Sequence, residues 1–245
     1  MMDAYTHLDM SAQSPMAALE QWMDKAAIDR ALVVETWSQD NRSCLDRIIA
    51  SPSPRFRVAL CFRATEERFS PSILEQEAVG GIRIRTTDLQ TFRPFAAALE
   101  SSKKWLIPHS EAGIGELTSE LIDLICDYPE LRILLPHMGW PRRNQQDDEV
   151  WHKSVSKLSS LPNVVVGISA ISHFSRMPFP HEDIKPFAIR LRELFGSESL
   201  FAGSDYPLFE TGRYVDYMKL ATEWIGPRAE EPGRFESILF ENPAS

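Results

Sequence analysis

Four residues able to move a proton or ligate a metal stand at the carboxyl ends of short apolar runs. They are His7 in "DAYTHLD", His109 in "KWLIPHS", His137 in "RILLPHMG" and Asp205 in "LFAGSDYP". Three imidazoles and a carboxylate suit one divalent ion such as zinc or manganese, with a coordination position left for water. Without an ion the same set can work as a general-base and hydrogen-bonding cluster, in which the carboxylate takes a proton from water and the imidazoles polarise a carbonyl. Both routes lead to hydrolysis or related carbonyl chemistry, and the residue types leave both open. A lone histidine at a strand end is ordinarily structural. Four such residues at the same end of four different runs point to a site.

Those residues need strands to carry them, and the chain offers eight. Runs rich in valine, isoleucine and leucine recur at 3–9, 31–37, 56–62, 81–86, 104–110, 132–139, 163–170 and 200–207. Helical spacing fills several of the gaps, as in "SPMAALEQWMDKAAID", "TFRPFAAALESS", "IGELTSELIDLICDYP" and "DIKPFAIRLRELFG". Alternating strands and helices of this kind make parallel sheets. Eight repeats in 245 residues fit a (β/α)8 TIM barrel as one domain over 1–245, whose strand carboxyl ends converge on one rim. An open doubly wound sheet is the alternative, because periodicity does not show closure. The segments "GWPRRNQQDDEV" and "ISHFSRMPFPHED" read as long loops over that rim. At the end of the chain, "ENPAS", the final helix that caps such a barrel is expected to be short or absent, leaving a surface that a second copy could cover as a homo-oligomer.

Composition narrows the partners. A formal charge of -9 without a basic cluster excludes a nucleic-acid surface. No run approaches the ~18 apolar residues of a membrane span. Cys44, Cys61 and Cys126 are odd in number and widely spaced, so they read as reduced packing residues of a cytoplasmic protein. The expected partner is a small molecule.

The order "DAYTHLD", "GGIRIR", "IPHS", "LLPHMGWP", "NVVVGIS", "FAGSDYP" and "ILFENPA" resembles the amidohydrolase-related (amidohydrolase 2) hydrolases of the amidohydrolase superfamily. The likeness is to the branch similar to 2-pyrone-4,6-dicarboxylate lactonase, and covers nearly the whole chain. The resemblance implies a barrel with His-x-His on strand one, a histidine on each of strands five and six, and an aspartate on strand eight. Position by position, His7 is the second histidine of the pair, and His109, His137 and Asp205 fill the other places. These four would be the ligands of any metal. Tyr5 stands where the first histidine is expected. A phenol is a poor zinc ligand unless ionised. The lactonase branch is understood to work without a metal, so the cofactor expectation is none, or one divalent ion, zinc or manganese.

The implied activity is a hydrolase, lactonase-like, opening a lactone or related cyclic ester of a carboxylated small molecule. Asp205 would be the general base, and His109, His137 and His7 would orient the substrate and stabilise charge on its carbonyl oxygen. Arg83 and Arg85 share one face of strand four by the i, i+2 rule, and would bind a carboxylate; outward pairing with Glu77 or Glu100 is the alternative. Tyr5 reads either as a barrel-filling aromatic or as a hydroxyl on the substrate. Trp140 and Tyr206 complete the substrate-binding set, with Arg142 and Arg143 as further cations and Trp37, Asn41, Arg42, Ser110, Glu111, Ser169 and His173 near the rim. His152 and His181 are expected in solvent. Two other readings remain: a metal-dependent decarboxylase of a carboxylated ring, and a ligand-binding barrel without catalysis.

Overall fold

A computed structural model describes residues 1–37, 39–50, 52–63, 70–142, 148–208, 211–227 and 240, with the side chains of 39–44 and 211 left aside. Among the described residues there are eight strands: β1 (Met2–Thr6), β2 (Arg30–Val34), β3 (Phe56–Cys61), β4 (Val79–Arg85), β5 (Trp105–His109), β6 (Arg132–Leu135), β7 (Val164–Ile168) and β8 (Leu200–Ala202). The helices are α1 (Pro15–Lys25), α2 (Gln39–Ala50), α3 (Leu89–Ser101), α4 (Thr118–Asp127), α5 (Glu149–Leu158), α6 (Ile171–Phe174), α7 (Lys185–Phe195) and α8 (Tyr214–Ile225). All neighbouring strands pair in parallel in chain order, β1 through β8.

Alternation divides the strand side chains into two cores. Tyr5, Leu32, Val34, Ala59, Ile107 and Leu134 fill the barrel interior. Val33, Val58, Ile82, Ile84, Leu106 and Ile133 point outward against the helices. This two-sided burial explains why the strands read as continuous apolar runs.

Closure occurs just beyond the ends of β1 and β8. The Asp205 amide donates to Tyr5 O at 2.9 Å and the His7 amide to Tyr206 O at 2.7 Å, which makes the sheet a barrel and places two of the four candidate residues on its seam. The seam is tight: a Cβ on Gly203 would lie 3.0 Å from the Cβ atoms of both Tyr5 and Ser169. On β1, residues Asp3 to Thr6 oppose only Ala31 to Val33, a bulge that adds one residue to the strand. The buried Asp3 carboxylate crosses the seam, accepting from the Ser204 amide at 2.9 Å and the Tyr214 hydroxyl at 2.8 Å. Burial pushes its pKa up to about 6 against the opposing pull of those bonds.

Several expectations need correction. Strand six ends at Leu135, and the residues expected to extend it turn away. Helix α8 buries Tyr214, Tyr217, Met218 and Trp224, and the end of the chain at 241–245, where the final capping helix was expected to be short or absent, lies outside the described residues. The loop after β7 contains α6. His181 is buried, 3% exposed, with its ring between Met177 O and the Tyr217 hydroxyl. Cys61 is buried as expected, whereas Cys126 is exposed. Arg143 and the side chains of Asn41, Arg42 and Cys44 lie outside the described residues. Among the described residues no helix is long and apolar enough to cross a membrane.

Candidate active site

His7, Arg83, His109, His137 and Asp205 line one cavity of about 700 Å³ at the carboxyl ends of the strands. That volume lies within the range of small-molecule sites. Ser110, Glu111, Trp140, Pro141, Arg142, His173, Phe174 and Leu208 contribute to its walls.

The side chains of His7, Arg83 and His137 are held by backbone atoms or by buried partners. His7 Nδ1 donates to Val34 O at 2.6 Å, turning Nε2 toward Asp205 Oδ1, 3.5 Å away. Neither of those two buried atoms has a hydrogen-bond partner among the described residues. Asp205 is 2% exposed and adopts a left-handed backbone, φ 55°, which costs a non-glycine residue about 1–2 kcal/mol. The seam hydrogen bond from its own amide holds it there. Burial pushes its carboxyl up, but the rings of His137 and His7 and the Arg83 guanidinium outweigh this and hold it below the ordinary value.

His137 sits on an unusual turn. His137, Met138, Gly139 and Trp140 all have positive φ, between 52° and 70°, and so form a left-handed turn where strand continuation was expected. The Trp151 indole donates to Met138 O at 2.8 Å, and the His137 amide donates to Ser169 Oγ at 3.1 Å. This turn aims His137 into the cavity and stands Trp140 edge-on to both His137 and His109, with ring centroids 6.0 Å apart in each case. His137 Nδ1 lies 3.0 Å from Ser169 Oγ. Burial depresses its pKa to about 4, although Asp205 pulls the other way.

Arg83 faces inward, at 6% exposure, and both of its terminal nitrogens are engaged. Nη1 donates to Glu35 O at 2.9 Å and Nη2 to His109 Nδ1 at 3.1 Å. Burial, with the Arg83 charge second, lowers the His109 pKa to about 3. Arg85 is exposed and stacks over Trp37, 4.0 Å from the ring centroid. Glu77 pairs with Arg57, and Glu100 accepts from the Glu130 amide, so neither is the partner of Arg83. Among the described residues, Arg142 is an exposed cation on the cavity wall.

Tyr5 and Tyr206 do not line the cavity. Tyr5 is fully buried beneath it, its ring edge-on to His137 at 4.5 Å and to His7 at 5.3 Å. Its hydroxyl has no hydrogen-bond partner among the described residues, and burial raises its pKa further from neutrality. Tyr206 packs against Tyr214 at the seam. Sequence reasoning missed Glu35, whose carboxylate accepts from the Cys61 amide at 2.7 Å and from Arg63 at 3.1 Å. A charged residue closing the apolar run "ALVVE" was the available signal.

The donor set fits a metal poorly. His7, His137 and Asp205 carry possible donor atoms, but Tyr5 puts a neutral phenol where the first histidine of the pair is expected, and the Arg83 guanidinium against His109 Nδ1 would repel a dication. Among the described residues no group of three or more histidines, cysteines or carboxylates has an arrangement that could hold an ion.

Comparison with known proteins places this geometry among relatives. Residues 4–244 match the family model described as amidohydrolase. An L-fucono-1,5-lactonase of Burkholderia ambifaria is 32% identical over 94 residues, a match that spans 37% of this chain and 31% of that protein. Among solved structures, an amidohydrolase from Burkholderia multivorans with bound HEPES superimposes with a TM-score of 0.75 at 15% identity, covering 98% of this chain and 96% of that one. A second crystal form of that enzyme, with a TM-score of 0.73 at 16% identity and coverage of 98% and 95%, has bound zinc. A probable 2-pyrone-4,6-dicarboxylic acid hydrolase from Acinetobacter baumannii, with citric acid bound, gives 0.74 at 16% identity over 97% and 94% of the two chains. A 2,6-dihydroxybenzoate decarboxylase from Rhizobium gives 0.64 at 12% identity over 98% of each. At these identities the structural matches establish the barrel, while the match over nearly the full length of the chain establishes the kinship: the chain belongs to the amidohydrolase family.

Proposed function

We propose that this protein hydrolyses a lactone or related cyclic ester of a carboxylated small molecule, with Asp205 as general base and no bound metal. The observation that carries the reading is the pair formed by Asp205 Oδ1 and His7 Nε2. These are two buried acceptors 3.5 Å apart on the cavity wall, neither bonded to protein among the described residues. A water in the cavity beside the Asp205 carboxylate would give it a hydrogen and keep a lone pair for attack. The depressed pKa of Asp205 keeps it ionised at neutral pH, as a base must be.

The reaction balances without a co-reactant. Asp205 takes a proton as the water oxygen bonds to the carbonyl carbon, and the carbonyl π electrons move to its oxygen, where His109 and His137 stabilise the charge. The tetrahedral intermediate collapses by breaking the ring C–O bond, and the alkoxide regains the proton from Asp205 to give a hydroxy acid. Arg142 on the cavity wall would meet the substrate carboxylate, because both terminal nitrogens of Arg83 are already engaged. Trp140 and Phe174 supply apolar wall.

The test is a panel of carboxylated and uncharged lactones assayed by proton release, using protein dialysed against a chelator. Turnover of at least one lactone by the metal-free protein is expected. Activity only after zinc or manganese is restored would overturn the metal-free mechanism. Carbon dioxide release from aromatic acids would replace lactonase by decarboxylase, and tight binding without product would make the barrel a ligand-binding one.

A further inference from the structure

The three site histidines differ in what touches their Nδ1 atoms. At His109 the neighbour is Arg83 Nη2, 3.1 Å away. A guanidinium has hydrogens to donate and no lone pair to accept with, so His109 Nδ1 must be bare. At His137 the neighbour is Ser169 Oγ, 3.0 Å away, which also accepts from the His137 amide at 3.1 Å. Ser169 is fully buried, and His137 Nδ1 is the acceptor within reach of its hydroxyl hydrogen, which leaves that nitrogen bare as well. At His7 the neighbour is a carbonyl, Val34 O at 2.6 Å. A carbonyl only accepts, so the His7 proton is on Nδ1.

We propose that Arg83 and Ser169 are positioning residues that fix the tautomers of His109 and His137, placing the ring proton of each on Nε2, while Val34 O imposes the opposite tautomer on His7. The cavity then carries two kinds of imidazole. His109 and His137 offer neutral N–H donors to an oxygen that gains charge, and His7 turns an unprotonated Nε2 toward Asp205. Neutral donors are suited to this role because an imidazolium would hold the charge permanently, whereas an N–H bond strengthens as the oxyanion forms. The partner at Nδ1 therefore decides what each ring presents to the cavity.

The assignment of roles rests on the lactonase reading, but the placement of protons does not. The test is therefore nitrogen-15 NMR of histidine-labelled protein at pH 7, without substrate, in which one-bond and long-range proton couplings separate the tautomers. The wild type should show His109 and His137 protonated on Nε2 and His7 protonated on Nδ1. In Ser169→Ala, His137 should change to a tautomer mixture while His109 stays as it was. In Arg83→Met the reverse should hold. On any lactone the wild type turns over, Ser169→Ala should lower kcat by about 10- to 100-fold, with KM nearly unchanged. Wild-type His109 or His137 carrying its proton on Nδ1 overturns the proposal, as does a Ser169→Ala spectrum identical to wild type. The assigned tautomers in a protein that opens no lactone would sustain the proton placement and refute the lactonase reading separately.

Discussion

Replacing Tyr5 by phenylalanine separates two accounts of this residue. The ring packs edge-on against His137 and His7, and the Arg83 guanidinium lies over it 5.8 Å from its centroid. A phenylalanine ring keeps all three contacts. What is lost is a fully buried hydroxyl that has no hydrogen-bond partner among the described residues, a feature that costs about 1–3 kcal/mol. Tyr5→Phe should therefore stabilise the protein by about 1–2 kcal/mol, equivalent to a rise in Tm of about 3–6 °C for a chain of this size. Denaturant unfolding with an unchanged slope gives the free energy, and calorimetry gives the Tm. On a substrate lactone, kcat/KM should change by less than about threefold, because Tyr5 lies beneath the cavity wall. A fall in stability would show that the hydroxyl is bonded after all. A fall in kcat/KM beyond tenfold in a stable variant would place that hydroxyl on the substrate.

Stability should also depend on pH in a defined window. His109 and His137 have folded pKa values of about 3 and about 4, below the ordinary value near 6.5, so as pH falls through 6.5 the unfolded chain binds protons that the native protein refuses. Each ring then removes about 1.4 kcal/mol of stability per pH unit. Asp3, raised to about 6, acts in the opposite sense over the upper carboxylate range, leaving a net loss on acidification from 6.5 to 4. Urea unfolding at steps of pH measures the slope, and His137→Gln should make it shallower. The left-handed turn gives a separate prediction: Trp151→Phe strands the Met138 carbonyl and should cost about 1–3 kcal/mol. It should also lower kcat more than it raises KM, as His137 loses its fixed direction. Equal kcat in the variant and the wild type would show that the turn holds without the indole.

The barrel was legible because buried parallel strands leave continuous apolar runs, and eight of them were countable. His7, His109, His137 and Asp205 were legible for the same reason, since a polar residue ending such a run stands out. Turn chemistry hid what followed β6. "HMGW" contains one glycine, yet all four residues are left-handed, held by indole and hydroxyl partners from distant segments. Helix α8 was not among the helical segments singled out, although its apolar face buries Tyr214, Tyr217 and Trp224. The i, i+2 rule put Arg83 and Arg85 on one face. It could not show that Arg83 is bonded to His109 and to a backbone carbonyl, since both partners come from other strands. His181 looked like a loop residue until its ring was seen stacked on Tyr217.

The central claim is that Asp205 removes the proton from the attacking water. Its most direct test is kcat for Asp205→Asn on a lactone opened by the metal-free wild type, with thermal unfolding run in parallel to confirm a folded protein. An amide keeps the shape and cannot take the proton, so kcat should fall by about 10²- to 10⁴-fold with the fold intact. A folded Asp205→Asn variant that retains kcat within tenfold of wild type would contradict the account.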